Sequence, residues 1–329
     1  MTVSERNVRA VEGADLLLLQ CGRLTRGERV TIVCDDTTAE LGQLLRERAH
    51  RITSHVVLVQ TPPLAMHGEE PPRQVAEAML ESDLCLGITT KSIAHTNARI
   101  SAAAHGARYL SLPDYSMDLL SDESLRANYE EQAVLARHLA DAFTNGSRLR
   151  VTSSAGTDVT MSIDGREGNC CPGYVSKAGD LGSPPDIESN VSPIEDSAEG
   201  TVVVDASIPY PTFGLLKAPV VLRVKGGSIV RIEGEASTTS SLEQLMKSAG
   251  SPRAYVLAEC GVGLNDKARL SGVMLTDEGA AGTMHFGFGS NSTVGGKNEV
   301  SFHLDFVLKN PSLFVDGHAL IERGILQHG

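Results

Sequence analysis

Between residues 28 and 143, short apolar runs alternate with stretches of helical spacing. That alternation constrains the architecture more than any other feature of the chain. ERVTIVCDD (28–36), SHVVLVQT (54–61), LCLGITT (84–90) and ARYLSLP (107–113) read as strands. TAELGQLLRERAHR, PRQVAEAMLESD (72–83) and IAHTNARISAAAHG (93–106) read as the helices between them. ESLRANYEEQAVLARHLADAF (123–143) follows as a long amphipathic helix, and Val8, Val11, Ala14, Leu17, Leu18 and Cys21 recur at helical spacing ahead of the first strand. Strands joined by helices of this length pair in parallel, in a sheet covered on both faces. Neither the GxGxxG pattern nor the lysine-bearing phosphate loop is present, so this sheet gives no nucleotide-binding signal.

After FTNGSRLR the periodicity changes. RLRVTSSAGTDVTMSID (148–164) alternates like a hairpin, and APVVLRVKGGSIVRIEGE (218–235) continues the pattern, with Lys225-Gly226-Gly227 as the turn. YVLAECGVGLN (255–265), GTMHFGFGSN (282–291) and SFHLDFVLKN (301–310) complete a half rich in strand and glycine, interrupted by one helix near 241–250. The expected fold is therefore α/β: a parallel-sheet domain over 1–147, then a mainly β domain over 148–329. Residues 165–200 read as one long loop, and loops of that length are usually functional or mobile.

His303-Leu304-Asp305 is the sharpest local signal. On a strand, residues i and i+2 share a face, so an imidazole and a carboxylate converge while Phe302 and Leu304 point away. A metal ligand pair and a hydrogen-bonded surface pair both fit that spacing. His285 stands opposite Met284, Phe286 and Phe288 in its own run, and Gly287 leaves room for a close approach. Glu259 lies in the otherwise apolar stretch YVLA-E-CGVGL, where a buried charge needs a partner, either a metal or an arginine. Glu259, His285, His303 and Asp305 together suit Zn²⁺, Co²⁺, Mn²⁺ or Fe²⁺ rather than the all-oxygen shells of Ca²⁺ and Mg²⁺.

The ordered set AECGVGLN, GTMHFGFGSN, Gly-Gly-Lys-Asn and HLDF resembles the thermophilic metallo-aminopeptidases S and T. It equally resembles their offshoot, the 2,5-dihydroxypyridine 5,6-dioxygenases, as do KSIAHTNARISAAAHGARYLSLP and SPIEDSAEGTVVVDASI in the rest of the chain. The aminopeptidase resemblance implies one or two divalent ions, with Glu259 as a bridging ligand, His285 on the first ion, and His303 with Asp305 completing the site. Glu188 stands nearest a further family glutamate. Ser292 occupies the place of a tyrosine ligand, a departure from that family. The dioxygenase resemblance implies a single Fe²⁺. Glu259 departs from it, standing where that group has histidine, and so does Lys177, near the place of a pocket histidine. His95 matches a histidine near the substrate.

On the weight of Glu259, the expected function is a metal-dependent hydrolase cleaving an amide bond in a small molecule or short peptide, aminopeptidase-like. Its metal would be Zn²⁺, Co²⁺ or Mn²⁺, with Glu188 or His95 moving the proton. The alternative is a non-haem Fe²⁺ dioxygenase that opens a hydroxypyridine ring, and a third reading is a degenerate, non-catalytic site. Net charge is −12, against nucleic acid and anionic membrane as partners. The polar start MTVSERNVRAVEG lacks a signal-peptide pattern, no apolar run is long enough to span a bilayer, and six cysteines lie mostly in apolar runs; these features set the expectation of a cytoplasmic enzyme. The resemblance further implies a homodimer or larger homo-oligomer.

Overall fold

A computed structural model describes residues 3–327. In chain order its elements begin with α1 (Val3–Leu16), β1 (Val30–Asp35), α2 (Ala39–Ala49), β2 (Val56–Thr61), α3 (Arg73–Leu80), β3 (Leu84–Ile88), α4 (Asn97–Ala104), β4 (Arg108–Ser111), α5 (Met117–Ser121) and α6 (Tyr129–Asn145). Strands β5 (Arg148–Thr152), β6 (Asp158–Ser162), β7 (Asn169–Cys171), β8 (Leu181–Gly182), β9 (Glu188–Val191), β10 (Glu199–Val204), β11 (Ser207–Ile208), β12 (Gly214–Leu215), β13 (Val220–Lys225) and β14 (Ser228–Glu233) follow. The chain closes with α7 (Ala236–Ser248), β15 (Leu257–Gly263), α8 (Met274–Asp277), β16 (Thr283–Gly289), β17 (His303–Lys309), β18 (Ser312–Val315), β19 (His318–Glu322) and β20 (Ile325–Leu326). Two compact units result: Met1–Tyr129 with Pro172–Pro185, and Glu130–Cys171 with Asp186–Gly329.

The first unit is the parallel α/β layer that the alternation dictates. Its sheet runs in the order β2-β1-β3-β4-β8, every neighbouring pair parallel. Because both faces of the central strands are covered, β1 and β3 are buried along their whole length and read as continuous apolar runs rather than alternating ones. Val33, Cys85 and Tyr109 pack against Val75, Met79, Ala98 and Ala102 of α3 and α4. Gly87 is required there: a Cβ at that position would lie 1.9 Å from the Tyr109 hydroxyl.

The second unit holds an eight-stranded sheet, β14-β13-β10-β6-β5-β18-β19-β20, and a seven-stranded one, β12-β11-β17-β16-β15-β9-β7. The hairpins at 148–164 and 218–235 are the antiparallel pairs β5–β6 and β13–β14. In the seven-stranded sheet, Met284, Phe286 and Phe288 of β16 are fully buried, and Phe288 meets Phe306 of β17 edge-to-face at 5.5 Å between ring centroids. This leaves His285 and Gly287 of β16 on the opposite face, with His303 and Asp305 of β17.

Residues 165–200 are not the continuous loop expected from their glycines and prolines. They contain β7, β8 and β9. β7 and β9 extend the second unit's seven-stranded sheet, whereas β8 supplies the outer strand of the first unit's sheet. Pairing with neighbouring strands satisfies the backbone of this polar segment, and that pairing leaves no local hydrophobic pattern. Among the described residues, no helix is long and apolar enough to cross a membrane.

Candidate metal centre

Four adjacent strands, β17, β16, β15 and β9, present their polar residues on one face in register. Gly287 pairs with both Glu259 and Asp305, Gly261 with both His285 and Asn190, Gly263 with Glu188, and Gly289 with His303. Each ligand-type side chain thus has a glycine beside it on the neighbouring strand. The pairing is sterically obligatory. A Cβ on Gly261 would sit 2.1 Å from the His285 ring, and one on Gly287 would sit 2.5 Å from His303 Nε2 and 2.9 Å from Asp305 Oδ1.

The side chains form two groups that could hold a metal ion, Glu188–Glu259–His285 and Glu259–His303–Asp305, with Glu259 common to both. His303 Nε2 lies 3.2 Å from Asp305 Oδ1 and 3.4 Å from Glu259 Oε2. His285 Nε2 lies 3.2 Å from Glu188 Oε2 and 3.9 Å from Glu259 Oε1. The first group is fully buried; in the second the His303 side chain is 33% exposed, leaving one open side. Glu259 meets two imidazoles, not an arginine.

The electrostatics call for a cation. Asp186, Glu188, Glu259, Glu278 and Asp305 share the neighbourhood of His285 and His303. Were all five carboxylates ionised, they would outnumber the two imidazolium charges. Burial alone would push Glu259 up, but hydrogen bonding to His285 and His303 holds it below the usual carboxylate range. Burial pushes Glu188 up against the pull of His285, and with Glu259 beside it the carboxyl reaches about 7. Asp186 and Glu278 are forced well above an ordinary carboxylate, chiefly by burial, then by Glu188 in one case and Asp305 in the other. Burial opposes charge on His285, yet Glu188 and Glu259 raise it to about 10; His303 is likewise raised by Asp305 and Glu259 against its burial.

The donor atoms fit a metal in detail. His303 Nδ1 donates to the Ser290 carbonyl at 2.8 Å, so a neutral ring turns the Nε2 lone pair towards Asp305 and Glu259. Acceptors facing acceptors need a proton or a metal ion between them. Glu188 Oε2, His285 Nδ1, Asp186 Oδ1 and Glu278 Oε1 are buried with no hydrogen-bond partner. One imidazole with two carboxylates, the composition of each group, is a donor set for Fe²⁺, Mn²⁺, Co²⁺ or Zn²⁺.

Of the residues singled out from sequence, Glu188, Glu259, His285, His303 and Asp305 converge. His95 belongs to the first unit, exposed in the turn before the α4 cap Thr96. Lys177 is an exposed turn residue whose backbone N–H bonds Asp180, and Ser292 is exposed on the loop between β16 and β17. Asp186, Glu278 and Asn190 are absent from the sequence reading. Asp186 and Glu188 are spaced i, i+2, the same signal that marks His303 and Asp305. Cys171, directly across from Glu188, has its thiol pushed well up by burial and by Glu188, and it is a free thiol, as is Cys170.

Comparison with known proteins adds the chemistry. The family model NicX, described as 2,5-dihydroxypyridine 5,6-dioxygenase, matches residues 16–328. A 2,5-dihydroxypyridine 5,6-dioxygenase of Pseudomonas putida KT2440 is 29% identical over 186 residues, 54% of this chain and 53% of that protein. The alignment therefore spans about half the length of that curated relative. The solved 2,5-dihydroxypyridine dioxygenase of the same organism superposes with a TM-score of 0.83 at 23% identity, covering 98% of each chain. Wild-type AmpT of Thermus thermophilus gives 0.71 at 15% identity over 98% of this chain and 100% of that one. Both structures support the α/β fold.

These matches overturn the expectation of an aminopeptidase-like metallohydrolase, because the family model and the curated relative are both dioxygenases. The hydrolase expectation rests on Glu259, and a carboxylate donor serves an Fe²⁺ centre as well as a Zn²⁺ one, so Glu259 does not discriminate. The exposed Ser292 also leaves the aminopeptidase tyrosine ligand without a counterpart.

Proposed function

Because the chain belongs to the NicX family of 2,5-dihydroxypyridine 5,6-dioxygenases, we propose that it is a non-haem Fe²⁺ dioxygenase opening the ring of a small hydroxylated pyridine. The observation that carries this reading is the Glu259–His303–Asp305 group. It offers three donors on one sheet face and is open to solvent on the His303 side.

In this reading Glu259, His303 and Asp305 hold the metal. Bound Fe²⁺ supplies the redox chemistry by which O₂ reacts with an electron-rich ring. The chain's own residues set the stage for it. Ser290 fixes the tautomer of His303, so that Nε2 faces inward. The buried Glu188–His285 pair abuts Glu259 Oε1, leaving Glu259 Oε2 directed at His303. Phe286, Phe288 and Phe306 pack the far side of the sheet, which keeps the strands in register and water away from the back of the site. Substrate and O₂ approach from the His303 side.

The test is anaerobic loading with Fe²⁺, followed by measurement of O₂ uptake and loss of ring absorbance with 2,5-dihydroxypyridine and its mono-hydroxylated analogues. Stoichiometric O₂ consumption is the expected result. Turnover under strict anaerobiosis, or after exhaustive chelation, would sink the proposal.

A further inference from the structure

Behind Glu259 a row of side chains runs outward across the sheet, away from the proposed metal position. It begins at the loop after β16, whose Val294 carbonyl accepts from Asn169 Nδ2 at 3.2 Å. The same Asn169 Nδ2 donates to Asn190 Oδ1 at 2.8 Å. With its oxygen thus engaged, the Asn190 amide turns its nitrogen the other way, and Nδ2 donates to Glu188 Oε1 at 2.7 Å. That contact leaves Glu188 Oε2 for His285 Nε2, which in turn faces Glu259 Oε1. Asn190 is 3% exposed.

The register explains why the row can form. Asn169, Asn190, Gly261 and His285 stand side by side on β7, β9, β15 and β16. Gly261 lacks the Cβ that would collide with the His285 ring, so the imidazole lies across β15 and reaches Glu188. The loop that begins the row is itself tied down. Asn291 bonds Ser192 and Glu195, Arg166 bonds both Glu195 and the Gly295 carbonyl, and Asn298 bonds the Gly289 carbonyl. The same loop supplies the Ser290 carbonyl to His303. One braced loop therefore governs the metal site from two sides, directly at His303 and through four side chains at Glu259.

We propose that Asn190 is a positioning residue. Through Glu188 and His285 it fixes the orientation of Glu259, and with it the affinity and ligand field of the metal. Glu188 and His285 then act as the support of one ion rather than as donors to a second. The inference rests on the reading of Glu259, His303 and Asp305 as the metal group.

Anaerobic titration with Co²⁺ tests it, reading stoichiometry, affinity by chelator competition, and the visible ligand-field bands. Asn190→Asp keeps the shape and removes the N–H donors; Asn190→Ala removes the side chain. Both are expected to bind one Co²⁺ per chain about 10–100-fold more weakly than the unaltered protein, with displaced bands. Metal-free Asn190→Asp should melt below the unaltered protein, because a buried acceptor then faces Glu188 Oε1 where a donor stood. Asn169→Ala, one link further out at a half-buried position, should weaken Co²⁺ in the same direction, and its effect should not add to that of Asn190→Ala. Unaltered affinity and spectrum in Asn190→Asp, or in Asn169→Ala should the Asn190 variants not fold, overturn the proposal. So do two Co²⁺ ions per chain. Full Co²⁺ affinity in Glu259→Ala marks a different failure, that of the metal-group reading itself.

Discussion

At His303 the two ring nitrogens have separate tasks. Nδ1 is spent on the Ser290 carbonyl, which leaves Nε2 to Asp305 and Glu259. Glu259 is the residue where the two groups meet, and its substitution is the most direct probe of the site. Glu259→Gln preserves shape but removes a charge needed by the metal and paired with both imidazoles; Fe²⁺-dependent O₂ uptake should fall at least about 100-fold, and the metal-free protein should melt lower than the unaltered one. A second residue-scale prediction concerns Asp35, at the end of β1. Its buried carboxylate accepts from the backbone N–H groups of Thr37, Thr38 and Thr90. Burial would push this carboxyl up, but the Thr90 and Thr38 donors outweigh it and hold it below its ordinary value. A depressed folded-state value stabilises above the unfolded value near 4, and the benefit is lost as pH falls through the folded one. Asp35→Asn should therefore cost about 1–3 kcal/mol at pH 7, and the gap should narrow below about pH 4; urea melts at the two pH values check this.

At the scale of elements, the site is a property of strand register. Gly261→Ala places a methyl group in the His285 ring and should shift that ring off Glu188. We expect about 1–3 kcal/mol of destabilisation in urea melts and at least tenfold weaker Co²⁺ binding. What was legible in the sequence follows the same logic. His285, His303 and Asp305 lie in strands whose alternate residues are large and apolar, so period two exposes them, and Glu259 stands out as a charge in an apolar run. β1 and β3 are legible because doubly covered strands read as uninterrupted apolar stretches. β7 and β9 are not. Their residues, Asn169–Cys171 and Glu188–Val191, are mostly polar, because they face the site or bond to neighbouring side chains rather than filling a core. Glu188 could be reached only through the family resemblance, and Asn190 and Asp186 remained hidden with it. His95 was distinguishable by motif alone, since its exposed turn carries no periodic signal. The chemistry was the least legible feature. The donors suit several ions, and no spacing rule separates hydrolysis from oxygenation.

For the whole molecule, the concentration of buried carboxylates in the second unit makes metal and folding interdependent. Exhaustive chelation should lower the melting temperature, and Co²⁺ restored to about 100 times its Kd should return about 2.7 kcal/mol, measurable by calorimetry. Another whole-chain feature is the path through Pro172–Pro185, where the chain leaves the second unit, lays β8 beside β4, and returns two residues before Glu188. The two units are thereby interleaved in the gene. No single cut in the coding sequence yields both, and a fragment ending before residue 172 would encode a first sheet with the edge of β4 bare, an invitation to aggregation. Replacing either unit with a foreign counterpart therefore takes three junctions, after Tyr129, Cys171 and Pro185, the last of them close to Glu188.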